Sequence, residues 1–148
     1  MRLAISAALA LAAFAVAPSS PEAREWQVKM LNKGSDGKLM VFEPAFIAIK
    51  PGDTVNFLAT NKGHNAESIA GMAPAGGNSF KGKINEEIVF KRTLPGLYGY
   101  KCLPHVGMGM VGLIQVGPAA NKAQVGAAAA RLPGLSKKTM GALVAKAR

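Results

Sequence analysis

The chain has 148 residues, room for one domain and not comfortably two. Apolar residues make up 49% and charged residues 18%, the balance of a packed globular domain and not of a disordered chain. A formal net charge of +10 points to an acidic partner, while one Cys and two His exclude an internal disulfide, a zinc finger and a four-ligand Cys/His zinc site.

Met1-Arg2 is a short positive start, and Leu3 to Val16 is a run of Ala, Leu, Ile, Val and Phe broken only by Ser6. The run is too short to span a bilayer comfortably and suits the core of a secretory signal peptide; its length disfavours an uncleaved anchor. The cut is expected among the small residues Ala15 to Ala23, at Ala15-x-Ala17, at Ala17-x-Ser19 or after Ala23, so residues 1–23 are assigned as signal. No Arg-Arg pair precedes the core, which favours the Sec route over the twin-arginine route. No later stretch is apolar for long enough to cross a membrane. The mature chain is therefore expected to be exported and soluble, without membrane insertion and about 125 residues long. A lone Cys in an oxidising compartment is exposed to oxidation and cross-linking unless it is buried or holds a metal.

From Trp26 to Val116 the pattern is β. Trp26, Val28 and Met30 alternate with Gln27 and Lys29, and Val55, Phe57 and Ala59 alternate with Thr54 and Asn56, a period that puts one face on a core. Phe46 to Ile49, Ile84 to Phe90, Leu97 to Lys101 and Val111 to Val116 read as further short strands. Turn signals separate them at Gly34–Gly37, Pro51–Asp53, Asn61–Gly63, Ala75–Asn78 and Pro95-Gly96. Pro44, inside an apolar run, predicts a bend on an edge strand. This spacing of strands indicates a sandwich or a barrel over residues 24–118.

Residues 119–148 change to Ala, Lys and Leu. Val125, Ala128, Ala129 and Leu132 form a helical stripe that ends at Pro133-Gly134. A second helix is expected to start at Ser136 as N-cap, with Leu135 and Met140 as a hydrophobic staple. Met140, Leu143, Val144 and Ala147 are its buried stripe, and Lys146 and Arg148 sit at the cation-favouring end of its dipole. This helical extension is expected to pack on the same domain and cover one face of it. Its short apolar stripe without aromatics argues against membrane binding.

The chemistry lies in Tyr100-Lys-Cys-Leu-Pro-His-Val-Gly-Met-Gly-Met110, a loop between two strands that offers the Cys102 thiolate, the His105 imidazole and the thioethers of Met108 and Met110. Thr60-Asn-Lys-Gly-His-Asn65 supplies the second imidazole, His64, at another strand end. One thiolate, two imidazoles and a weak thioether are the donor set of a blue-copper electron-transfer site. Thiolate and thioether favour Cu(I), imidazole serves both oxidation states, and a compromise geometry lets an electron pass with little movement. Taken singly, Cys102 reads as a buried small hydrophobe, either His as a surface residue and either Met as packing. Their coincidence on one exported chain favours the metal.

The chain resembles the cupredoxins, the type 1 blue-copper family. The resemblance rests on Met30-Leu-Asn-Lys-Gly, Met40-Val-Phe-Glu-Pro-Ala45, Lys50-Pro-Gly-Asp-Thr-Val55, Lys62-Gly-His-Asn65, Lys83-Ile-Asn-Glu86 and Gly99-Tyr-Lys-Cys-x-Pro-His105. The helices after the last strand fit members with a helical tail better than plastocyanin or amicyanin. The resemblance implies a mainly β Greek-key sandwich of about eight strands with two C-terminal helices. It implies one type 1 copper ion on His64, Cys102, His105 and Met110, where Met110 and not Met108 matches the axial position. It also implies that the Asn65 backbone bonds the ligand sulfur while its side chain ties two loops together. Met40 matches a residue beside the exposed imidazole, and Pro104 stiffens the loop. The segment Gly34 to Leu39 is about one residue longer than usual for the family, and Leu103 and Val106 stand where other residues are common.

The function implied is a periplasmic one-electron carrier, not an enzyme. His105 would pass electrons through an apolar patch that includes Pro104, Met40, Val106 and Met108. Lys33, Lys38, Lys62, Lys81 and Lys101 would steer an acidic partner. The partners implied are copper-containing nitrite reductase, in denitrification, and cytochrome c, met by a monomer. Nucleic acid is excluded by export and by the lack of aromatics among the basic residues. Two rivals are a thiol hydrolase using Cys102 and His105, which lacks an evident orienting group, and a copper chaperone, which would favour open, exchangeable sites.

Overall fold

A computed structural model describes residues 22–148; the expected signal core and the cut sites before Glu22 lie outside the described residues. In β1 (Glu25–Lys33) the two-residue period holds, with Val28 and Met30 buried and Gln27 and Lys29 exposed. β1 runs antiparallel to β2 (Leu39–Glu43) and parallel to β4 (Thr54–Leu58), whose Val55 and Phe57 are buried in the same core. With β6 (Ile88–Lys91) these make one sheet, in the order β2-β1-β4-β6. The second sheet has the order β3-β8-β7-β5, from β3 (Phe46–Ile49), β8 (Val111–Val116), β7 (Gly96–Lys101) and β5 (Glu67–Ser68). Pro44 lies between β2 and β3, edge strands of opposite sheets, so its bend carries the chain from one sheet to the other.

One core lies between the sheets, where Phe42, Phe57 and Tyr100 meet edge to face with ring centroids 4.8 Å and 6.2 Å apart. A second core forms where α1 (Lys122–Ala129) and α2 (Ser136–Lys146) cover the outer face of the second sheet. β8 feeds both, Ile114 and Val116 into the first and Val111 and Leu113 into the second. That double burial explains why every residue of β8 but Gln115 is apolar or glycine, and why Gln115 is itself buried. Val125 and Ala129 of the first stripe, and all of Met140, Leu143, Val144 and Ala147, are buried there.

Two expectations fail locally. The strand expected over Ile84 to Phe90 begins only at Ile88. Lys83 N–H donates to Glu86 Oε2 at 2.6 Å, and Asn85 takes a left-handed φ of 67°, so Lys83–Glu87 folds as a turn. Nor does Ser136 cap α2; it is the helix's first residue, and its hydroxyl donates to Val106 O. Gly134, at φ 54°, turns the chain so that Leu135 N–H reaches Gly107 O at 3.1 Å. Bonds to the neighbouring loop thus replace the cap, and Leu135 stays 61% exposed while Met140 is buried, so no staple forms.

Candidate metal centre

Cys102 directly follows β7, and Leu103–Met108 winds into a 3-10 turn with Pro104 in its first turn, where the missing N–H costs nothing. Gly109, at φ 94°, reverses the chain into Met110 and β8. Backbone bonds close the loop on itself: Cys102 N–H to Met110 O at 3.0 Å, His105 N–H to Cys102 O at 3.2 Å and Met110 N–H to His105 O at 3.3 Å. The loop after β4 brings in His64. Its position is fixed by Asn85, which donates its N–H to His64 O at 2.8 Å and accepts Gly63 N–H on Oδ1 at 2.7 Å.

The two loops put His64 Nδ1 3.7 Å and His105 Nδ1 3.4 Å from Cys102 Sγ. Ligating atoms of all three residues lie within 4.8 Å of one another. Cys102 and His64 are buried and His105 is half-buried. Met110 is fully buried in the same core cluster as Cys102. Met108, in contrast, is 47% exposed. His64 Nε2 lies 2.7 Å from Asn32 Oδ1, an acceptor, so Nε2 carries the proton and Nδ1 keeps a lone pair toward the sulfur.

Burial pushes the Cys102 thiol up, against the backbone N–H groups of Asn65 and His105, which favour the thiolate; the Glu67 carboxylate pushes the same way as burial. Burial, and then the nearby His105, holds His64 below the usual imidazole value. Two imidazoles and a buried thiol that converge on one point are the donors a soft cation takes, the thiol binding as thiolate. The residues present therefore fit copper, and a bound cation would reverse the penalty on the thiolate.

Asn65 is buried and fully bonded. Its Oδ1 accepts Leu103 N–H at 2.7 Å, and its Nδ2 donates to Gly82 O at 3.0 Å and Glu67 Oε2 at 3.1 Å. Met40, at φ 51°, is half-buried against the first core, and Pro104 is exposed. The lysines divide. Lys38 pairs with Asp36 at 2.6 Å, and Lys101 is drawn to Glu67 at 3.5 Å with its side chain only 27% exposed. Lys33, Lys62 and Lys81 are exposed and form no ion pair among the described residues. Asn32, Asn85 and Glu67 escape the sequence reading. The short segment Lys83-Ile-Asn-Glu86 carries a signal for Asn85, but only the fold shows what it braces.

Fold and site together define a cupredoxin. Residues 28–117 match the family of copper binding proteins, plastocyanin/azurin. A pseudoazurin of Paracoccus pantotrophus is 48% identical over 141 residues, covering 95% of this chain and 96% of its own. One of Methylorubrum extorquens is 50% identical over 111 residues, 74% of each chain. A solved pseudoazurin structure from Sinorhizobium meliloti superposes with TM-score 0.80 at 50% identity, covering 83% of this chain and 95% of that one. Another, from Hyphomicrobium denitrificans, gives 0.79 at 44% identity over 84% and 98%. The chain belongs to the pseudoazurins of the plastocyanin/azurin family, blue-copper electron carriers and not enzymes.

Proposed function

We propose that this chain is a periplasmic one-electron shuttle that donates electrons to a copper-containing nitrite reductase in denitrification, with cytochrome c as a further partner. The observation that carries the reading is the convergence of both Nδ1 atoms on one buried sulfur. His64, Cys102, His105 and Met110 would hold the ion. Copper bound there supplies a one-electron couple. The protein's part is to keep the donors where they are: three of the four lie within one self-bonded loop, and the fourth is fixed by Asn32 and Asn85. Electrons would leave by His105, the half-buried imidazole. Around that loop Leu103 is 50% exposed, Met108 47% and Leu135 61%, and Pro104 is exposed too. These apolar side chains offer a dry contact surface, and Leu135 extends it onto the helical tail.

The free cations Lys33, Lys62 and Lys81 would act on encounter with an acidic partner, while Lys101, already paired, would contribute less. The hydrophobic start of the chain supports export, and a carrier that meets two partners in turn fits a monomer. The test is a visible and EPR spectrum after Cu(II) addition. An intense thiolate-to-copper band with narrow hyperfine splitting, bleached reversibly by a reductant and absent in Cys102→Ala, is expected. A band that survives Cys102→Ala refutes the ligand assignment. No band in the native protein would return the thiol-hydrolase and chaperone readings. For partner docking, Lys62→Gln with Lys81→Gln should slow electron delivery to nitrite reductase far more at low salt than at high salt. Equal slowing at both would refute steering.

A further inference from the structure

Beside the copper ligands lies an ion pair that the donor set does not account for. Glu67 is 8% exposed, and its side chain lies against two partners: Asn65 Nδ2 at 3.1 Å on Oε2 and Lys101 Nζ at 3.5 Å on Oε1. A buried carboxylate is costly unless it is paired and hydrogen-bonded, so its retention calls for a reason. Glu67 is fixed by backbone as well as by side chain, since β5 sets it opposite Lys101 in β7 and an isolated bridge sets it opposite Lys81. Both its partners adjoin the copper ligands. Asn65 follows His64 and bonds the Leu103 N–H next to Cys102; Lys101 precedes Cys102.

We infer that Glu67 is a positioning and potential-setting residue of the copper site, acting through Asn65 on the ligand loops and, with Lys101, as a charge pair beside the sulfur. The inference rests on the copper reading above. Glu67 does two separable things. As an acceptor it fixes which way the Asn65 amide faces: both amide hydrogens are claimed, by Gly82 O and Glu67, so Oδ1 must point at Leu103 N–H. As a charge it favours the more positive, oxidised metal, and Lys101 opposes it across 3.5 Å. Because the carboxylate is buried, salt does little to screen it. The two charges act on the site in opposite senses, so breaking the pair from either side should move the potential in opposite directions.

The experiment uses the copper-loaded protein and reads midpoint potential together with the visible and EPR spectra. Glu67→Gln keeps an acceptor for Asn65 and leaves Lys101 uncompensated. It should keep the native spectrum and raise the potential, a several-fold shift of the Cu(II)/Cu(I) ratio toward Cu(I) at fixed poise, the same at low and high salt. Lys101→Gln should lower the potential, and the double variant should return close to the native value. Glu67→Ala, which also frees the Asn65 amide, should change the spectrum itself. If Glu67→Ala does not fold, the two Gln variants still decide the matter. Shifts of the same sign in both, or no shift, with the blue band intact would overturn the inference. A native protein with no blue band would overturn the copper reading and this inference with it.

Discussion

Asn65→Ala isolates the join between the two ligand loops. The side chain makes three hydrogen bonds, and each partner fares differently without it. Leu103 is 50% exposed, so its N–H regains water, and that loss is worth about 0.5–1 kcal/mol. Gly82 is buried, and its carbonyl is left unpaired, at about 1 kcal/mol or more. Glu67 is buried and charged, so losing a donor to it costs about 1.5 kcal/mol even with Lys101 still present. The total is roughly 3 kcal/mol, a large share of the ~5–15 kcal/mol that holds a domain folded. At this chain length it corresponds to a Tm lower by about 10 °C. The assay is urea and thermal unfolding of the metal-free protein, followed by the fluorescence of its one Trp, so that metal binding does not mask the change. A loss under about 1 kcal/mol would mean that the loops are held elsewhere and that the three bonds are incidental.

Tyr100 is fully buried with a hydroxyl that has no partner among the described residues, so Tyr100→Phe should leave stability unchanged or raise it by up to about 1 kcal/mol; a clear loss would reveal a missed partner. Gly112→Ala should cost at least ~2 kcal/mol, because the new Cβ would stand 2.2 Å from the Tyr100 ring, and equal urea midpoints would disprove the close packing. Asp53 accepts Arg24 N–H at 2.9 Å, Trp26 Nε1–H at 3.1 Å and Lys50 N–H at 3.1 Å, and these bonds hold its carboxyl below the usual value. A lowered folded pKa gives stability that is present at neutral pH and lost as pH falls through that pKa. The penalty of Asp53→Asn should therefore shrink in acid, and a gap as wide at pH ~2 as at pH ~7 would contradict this. Asn32→Ala removes the acceptor that orients His64; copper affinity, measured against a competing chelator, should fall about 10–100-fold, and unchanged affinity would deny Asn32 that role.

Strands with one buried face could be read from their alternation, and the run over Val111 to Val116 was readable because all of it but Gln115 is apolar or glycine. What misled was local pattern under tertiary demand. Ile84 to Phe90 has strand-forming residues at both ends, yet Asn85 is needed to hold the His64 loop, and its left-handed backbone breaks the strand. Ser136 has the chemistry of a cap, but Val106 O offers it a better partner from a distant segment. The donors Cys102, His105 and Met110 share one short loop and so could be recognised together. Asn32 and Glu67 could not, because an Asn or a Glu in a strand is ordinary until the fold shows what it faces.

The 3-10 turn Leu103–Met108 has no buried residue, and the bonds that fix it run through backbone atoms: Cys102 O, Val106 O, Gly107 O and His105 O. Anchoring of that kind is indifferent to side-chain identity. Leu103, Pro104 and Met108 can then be exchanged for residues of similar backbone preference without disturbing either core. In the proposed docking, the apolar surface offered to a partner and the donors that hold a metal are then largely separate residues of one loop, joined at His105. Such a protein can change its clientele by mutation while its colour and its fold stay the same.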